Sequence, residues 1–225
     1  PSLGLRVSER NIQAEVGNDD LDFNIQRLGL WIQYNQKSAI SENEWKELHV
    51  DEMPQLKGKL FVGIKYGHDG TNVAMSIAVK TVDDKIFVEA IDCQSIRNGN
   101  DWIIHFLRNA DVQTVVVDGA NGQKILEDAM KLAKLKPPIL PTVKEVIQAN
   151  AIFEQGLYQK TIQHRSQPSL FQVVTNCEKR PIGTQGGFGY KSQYEDYDIA
   201  LMESMILAHW ACVEAKEPKK QKIVY

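Results

Sequence analysis

Three apolar runs in quick succession, each parted from the next by a turn signal, constrain this chain more than any other feature. Leu60–Ile64, Asn72–Val79 and Ile86–Ile91 are strand-length; Gly67-His68-Asp69-Gly70 divides the first pair and Val82-Asp83-Asp84-Lys85 the second. Asp-Gly or Asp-Asp between such runs is hairpin chemistry, so the spacing predicts three consecutive antiparallel strands. The period then changes. Asn100–Ala110 has helical spacing in Trp102, Ile103, Phe106 and Leu107, and Thr114–Val117 is a compact β-branched strand that runs straight into Asp118 and Gly119. A helix is expected over Gln123–Lys134, stopped by Pro137-Pro138. Ile139–Pro141 reads as one more short strand, Val143–Tyr158 as a helix, and a helix-like stretch runs from Gln167-Pro168-Ser169-Leu170 to Cys177. Four glycines between Arg180 and Tyr190 mark a flexible loop or hairpin, and Tyr194–Ala215 reads as a long closing helix. The implied class is α/β: a ribonuclease-H-like mixed sheet flanked by helices. Element order alone carries that inference only weakly, because other α/β folds share parts of it.

Residues 1–57 are of a different character. Polar residues dominate, with helical spacing in Phe23, Ile25, Leu28, Leu30, Trp31 and Ile32, and Ser41-Glu42-Asn43-Glu44 is a capping-box pattern opening a short helix. Pro54 and Gly58 then punctuate the chain. The division expected is a linker and helical lead-in over 1–57, a folded domain over 58–215, and a Lys-rich tail over 216–225. Composition bounds little more. Of 225 residues 43% are apolar, enough for a sizeable core, and the net charge of -3 neither demands nor excludes nucleic acid. Cys93, Cys177 and Cys212 are widely spaced and odd in number, which excludes a complete disulfide framework and points to buried thiols. No apolar run is long enough to span a bilayer. The first residue is Pro1 rather than Met, and the expectation is a fragment of something longer.

The candidate chemistry lies in carboxylates. Phosphodiester hydrolysis by metal ions uses cations that bracket the scissile phosphate. Mg²⁺ and Mn²⁺ prefer hard oxygen ligands, so Asp and Glu from distant parts of the chain must converge. Asp118 leaves the carboxyl end of a strand, the edge where α/β sheets place their sites; equally, it starts a turn ahead of a helix. Asp198 stands before an apolar helical run, where acids also serve simply as complements to the helix dipole. Asp69 sits in the first turn. Within the first strand, the position where such a site expects an acid is occupied by Lys65, which cannot bind a cation and brings a positive charge of its own.

The lead-in Phe23–Trp31, the run Val62-Gly63-Ile64 through Asp69-Gly70-Thr71, the stretch Gly156-Leu157, His164, Gln167-Pro168 and Leu170, and the helix from Asp198-Ile199-Ala200 to Trp210 together resemble the C-terminal nuclease half of the large terminase subunits of tailed phages. The resemblance covers nearly the whole chain and rests on order and spacing rather than on any single motif. It implies a divalent-metal-dependent endonuclease that cuts concatemeric viral DNA during packaging, in the cytoplasm of an infected or lysogenic bacterial host. Asp118 matches the family's second carboxylate and Asp198 its last; Lys65 stands where the first metal-binding Asp belongs, leaving Asp69 as the nearest substitute, with Glu195 as a further assisting acid. The implied metal is Mg²⁺ or Mn²⁺. The implied partners are double-stranded DNA, a packaging ATPase domain N-terminal to this one, a small terminase subunit and a portal protein. No G-x-x-x-x-G-K-[ST] loop occurs here, so no motor function is read into these residues. Lys65, His164, Arg165, Arg180 and Lys191 are the candidates for contact with DNA phosphates, each with an ordinary surface or loop role as its alternative. Lys65 also opens a rival reading: a weakened or inactive module of the same fold, kept for DNA binding and motor assembly.

Overall fold

The computed structural model describes residues 38–183, 186–194 and 197–215. The helical spacing at Phe23–Ile32, Glu195 and the basic tail lie outside the described residues. The first three strands are where the turn signals put them: β1 (Leu56–Tyr66), β2 (Asn72–Thr81) and β3 (Ile86–Ser95), each antiparallel to the one before. Asp84, at φ 60°, makes the tight turn between β2 and β3, a conformation Asp tolerates better than most side chains. β4 (Val112–Asp118) then returns parallel to β1, and the two-residue β5 (Ile162–Gln163) joins parallel to β3, so the sheet order is β4-β1-β2-β3-β5. This is a mixed five-stranded sheet flanked by helices.

The helices divide between the two faces of the sheet. Before β1 comes α1 (Glu42–Lys46), whose capping box is formed as the sequence implies, with Ser41 and Glu44 satisfying each other's free N–H groups. α2 (Asp101–Asn109) and α3 (Gln123–Leu132) bury Ile103, Phe106, Leu107, Leu126 and Met130 against Val62, Ile64 and Tyr66 of β1 and the same face of β2 and β4. On the other face lie α1, α4 (Val143–Tyr158), α5 (Pro168–Thr175) and the closing helix α6 (Ala200–Glu214). α6 runs across β1, β2 and β3 and is buried almost throughout, which explains a sequence that is apolar on every side rather than along one stripe. A hairpin of β6 (Cys177–Ile182) and β7 (Gly187–Ser192) stands apart from the main sheet, and α4 packs against β7.

Three expectations change in detail. Ile139 forms a single parallel bridge with Val116 instead of a strand, because Pro138 and Pro141 on either side have no N–H with which to continue a ladder. The closing helix begins at Ala200, six positions after Tyr194: Ile199 has φ -106° and ψ 23°, outside helical geometry, and the Asp198 carboxylate accepts the Ala200 N–H at the helix start. And the lead-in is, from Ser38 onward, part of the core. Ile40, Trp45 and Leu48 are buried among α4, α5 and α6 residues, the Ala39 N–H donates to the Cys177 carbonyl, and the Val50 N–H donates to that of His164.

Candidate active site

Strand alternation places the site. Along β1, Leu60, Val62, Ile64 and Tyr66 face α2 and α3, so Phe61, Gly63 and Lys65 face α6. At Gly63 the helix passes so close that an added methyl would collide with the Ser204 carbonyl oxygen and sit 2.5 Å from the Ala208 nitrogen. Two residues on, at the end of the same row, Lys65 points toward the first turn of α6. The parallel register sets Lys65 directly beside Asp118 on β4, whose side chain leaves the same face as that of Val116.

The result is a mixed-charge cluster at the carboxyl ends of β1 and β4. Lys65 Nζ lies 2.5 Å from Asp118 Oδ2 and 3.6 Å from Glu203 Oε2, with only 7% of its side chain exposed. Burial pulls the Lys65 pKa down, but the charges of Glu203 and Asp118 outweigh it and hold the ammonium above its ordinary value. Glu203 also faces His68, at 3.7 Å from Nε2, and this contact raises the His68 pKa against partial burial. Arg180 reaches in from β6, its Nη2 3.5 Å from His68 Nε2 while its Nε donates to the Tyr190 carbonyl.

Asp198 lies on the other side of the β1–β2 turn. Its Oδ2 accepts the His68 N–H at 3.1 Å, and burial, with Glu203 and Asp69 nearby, raises its pKa despite two backbone hydrogen bonds. Asp69 is tied into its turn by the Thr71 N–H at 2.9 Å and the Thr71 hydroxyl at 2.6 Å. Gly67 separates the two acids: a methyl there would collide with Asp198 Oδ2 and lie 3.2 Å from Asp69 Oδ1. Asp69, Asp118 and Asp198 therefore do come to one end of the sheet. Glu203 joins them, and reading the sequence for acids at strand ends passes over it. Its signal was present: the one charged residue in the first turn of a largely apolar helix.

The other cations named from sequence divide. Lys65 and Arg180 are in the cluster. His164 is buried, its ring stacked on Trp45 at 4.0 Å, with Nε2 against the Trp45 carbonyl and Nδ1 against that of Arg165. It ties α1 to β5 and leaves no ring nitrogen for a phosphate. Arg165 is half-buried and near enough to Glu89 for its charge to be felt there. Lys191 pairs with Glu178 across the hairpin at 2.7 Å.

A divalent metal does not fit this arrangement. The Asp118 oxygen that would face an ion already holds the Lys65 ammonium, and among the described residues no group of three or more His, Cys, Asp or Glu side chains is placed to hold a metal.

No protein-family model matches the sequence, and no curated protein matches it either. Solved structures do match in fold. The large terminase of bacteriophage HK97 superimposes with a TM-score of 0.59 at 13% identity, over 90% of this chain and 51% of that one. The large terminase nuclease of thermophilic phage G20c with bound magnesium gives 0.51 at 11% identity, over 76% and 97%. The terminase nuclease domain of human cytomegalovirus, manganese-soaked and inhibitor-bound, gives 0.51 at 11%, over 77% and 94%. The chain thus spans about half the length of the HK97 protein and nearly all of the two nuclease domains. The architecture is that of terminase nuclease domains.

Proposed function

We propose that this chain is the nuclease module of the large subunit of a DNA-packaging terminase, engaging double-stranded viral DNA at the carboxylate-lined end of its sheet. One observation carries the reading: Asp69, Asp118, Asp198 and Glu203, from three separate stretches, meet at one sheet end of a fold shared with terminase nucleases. Gathering like charges costs stability, so a fold that does it is maintaining a site. In this reading Arg180, beside the acids, faces the DNA phosphates, whereas Lys65, named with it from the sequence, is buried between Asp118 and Glu203. Residues 38–215 form the module, the part of the 1–57 lead-in before Ser38 connects to a packaging ATPase domain and 216–225 form a basic tail. A small terminase subunit and a portal protein are the remaining partners, in the cytoplasm of the bacterial host.

Two readings of its activity follow from the same site. In one, the module cuts concatemeric DNA with Mg²⁺ or Mn²⁺, which Asp118, Asp198 and Asp69 would hold only once the Lys65 ammonium has left Asp118; the magnesium-bound and manganese-soaked terminase nucleases of similar fold support it. In the other, it binds DNA with cutting weakened or lost, and the Lys65–Asp118 pair favours this second reading. Supercoiled plasmid incubated with Mn²⁺ or Mg²⁺ tests both. The expected result is slow or absent conversion to nicked and linear forms. Brisk cutting that Asp118→Ala abolishes overturns the weakened reading, and failure to shift duplex DNA in a gel overturns the module reading itself.

A further inference from the structure

We infer that Lys65, bridging Asp118 and Glu203, is the site's own cation: it joins β1, β4 and α6 in a metal-free ion triad and withholds both carboxylates from a divalent ion. The inference deepens the weakened-nuclease reading and rests on it for its biological meaning, but its physics stands on distances. The ammonium is 2.5 Å from one carboxylate and 3.6 Å from the other, and it is the most deeply buried of the three groups, at 7% exposure against 22% for Asp118 and 13% for Glu203. A long, flexible side chain is confined this way only when its partners hold it from more than one side. Glu203 does so from α6, a different element and a different part of the chain.

Charge explains why the triad and a metal exclude each other. A divalent ion placed at the Asp118 carboxylate would lie within a few ångströms of a buried ammonium, and like charges at that separation in a partly desolvated site repel strongly. The ammonium must leave before an ion enters, and leaving takes from Glu203 its buried partner. Its Oε2 is buried and has no hydrogen-bond partner, so at that oxygen the Lys65 charge is the neutralising one, while the exposed His68 stands 3.7 Å from Oε1. Glu203 is accordingly a positioning residue: it acts on the site through Lys65. Once Lys65 is replaced by an acid, Glu203 and Asp118 become available together as oxygen ligands.

The test uses metal alone, read without activity. The full chain is melted with EDTA and with millimolar Mn²⁺, beside Lys65→Asp and Lys65→Asp/Glu203→Gln. The parent Tm should not change between EDTA and Mn²⁺. Lys65→Asp should gain an Mn²⁺-dependent rise on the order of 5 °C, and adding Glu203→Gln should weaken Mn²⁺ affinity by about 10- to 100-fold. A rise in the parent that Asp118→Asn removes overturns the inference, as does a folded Lys65→Asp that ignores Mn²⁺. A Glu203→Gln change without effect on the gain removes Glu203 from the proposal. Should Lys65→Asp not fold, Mn²⁺ relaxation of backbone amide signals in the parent decides alone: broadening centred on Asp118 and Glu203 overturns the triad, and its absence supports it. Duplex binding in EDTA is scored separately, so loss of the terminase reading and loss of the triad are distinguishable.

Discussion

At the scale of single residues, position in a strand decides what an ionisable group can do. Lys65 and Asp118 are neighbours because parallel pairing sets them side by side, and each gains a partner. Glu89 on β3 has only the charge of Arg165 to offset its burial. It is 3% exposed, its Oε2 makes no hydrogen bond, and burial, only partly offset by Arg165, pushes its pKa up to about 8. The folded state therefore keeps the Glu89 proton where the unfolded chain, at its ordinary value of 4.5, has released it. The contribution is intact below about pH 4.5 and is lost as pH rises through about 8. Glu89→Gln, which cannot ionise, should be more stable than the parent at pH 9 by on the order of 3 kcal/mol and nearly equal to it at pH 5. Urea unfolding at the two pH values reads the difference; equal gains at both would show that Glu89 is charged in the fold.

At the scale of elements, the crossing of α6 over β1 is the most exacting contact. Gly63 makes it possible, since the Ser204 carbonyl and the Ala208 nitrogen of the helix occupy the space that any Cβ would need. Gly63→Ala must push backbone against backbone, and neither side can yield by rotating a side chain. The expected cost is about 3 kcal/mol or more, seen as a lowered Tm, with the first turn of α6 and hence Glu203 displaced from Lys65. A Tm within a degree of the parent would mean that the helix shifts freely on the sheet. The start of α1 was readable beforehand from its capping box, Ser41 with Glu44, and the structure shows Thr142 with Glu145 opening α4 by the same reciprocal bonds. The start of α6 was not readable, because its three preceding acids look like a helical first turn. Asp198 instead spends its oxygens on the Ala200 N–H and on the His68 N–H of a distant turn.

At the scale of the whole molecule, the lead-in is a structural member. Trp45 is 1% exposed and stacks on His164, whose Nε2 donates to the Trp45 carbonyl at 2.9 Å, so α1 closes over the face formed by α4, α5 and α6. Trp45→Ala removes the largest side chain of that contact and should cost about 3–5 kcal/mol. Chemical denaturation measures it. A cost under about 1 kcal/mol would return residues 38–55 to the role of a linker. Among the described residues no helix is long and apolar enough to cross a membrane.

Local chemistry was therefore legible in the amino-acid order: three strands from their turns, β4 from its β-branched run into Asp118, α4 to its last residue, and the acids Asp69, Asp118 and Asp198 as one candidate set. Those readings need only period, turn residues and caps, which act over a few positions. Tertiary structure decided the rest. Lys65 stands out in the sequence only as a residue of the wrong sign; that it is held by Asp118, fifty-three positions away, follows from strand register. Glu203 looks like one more helical acid until α6 is laid across β1, and His164 looks like a loop cation until Trp45 covers it. Electrostatic partnership depends on distance in space, and distance in space is settled by packing that no local pattern records.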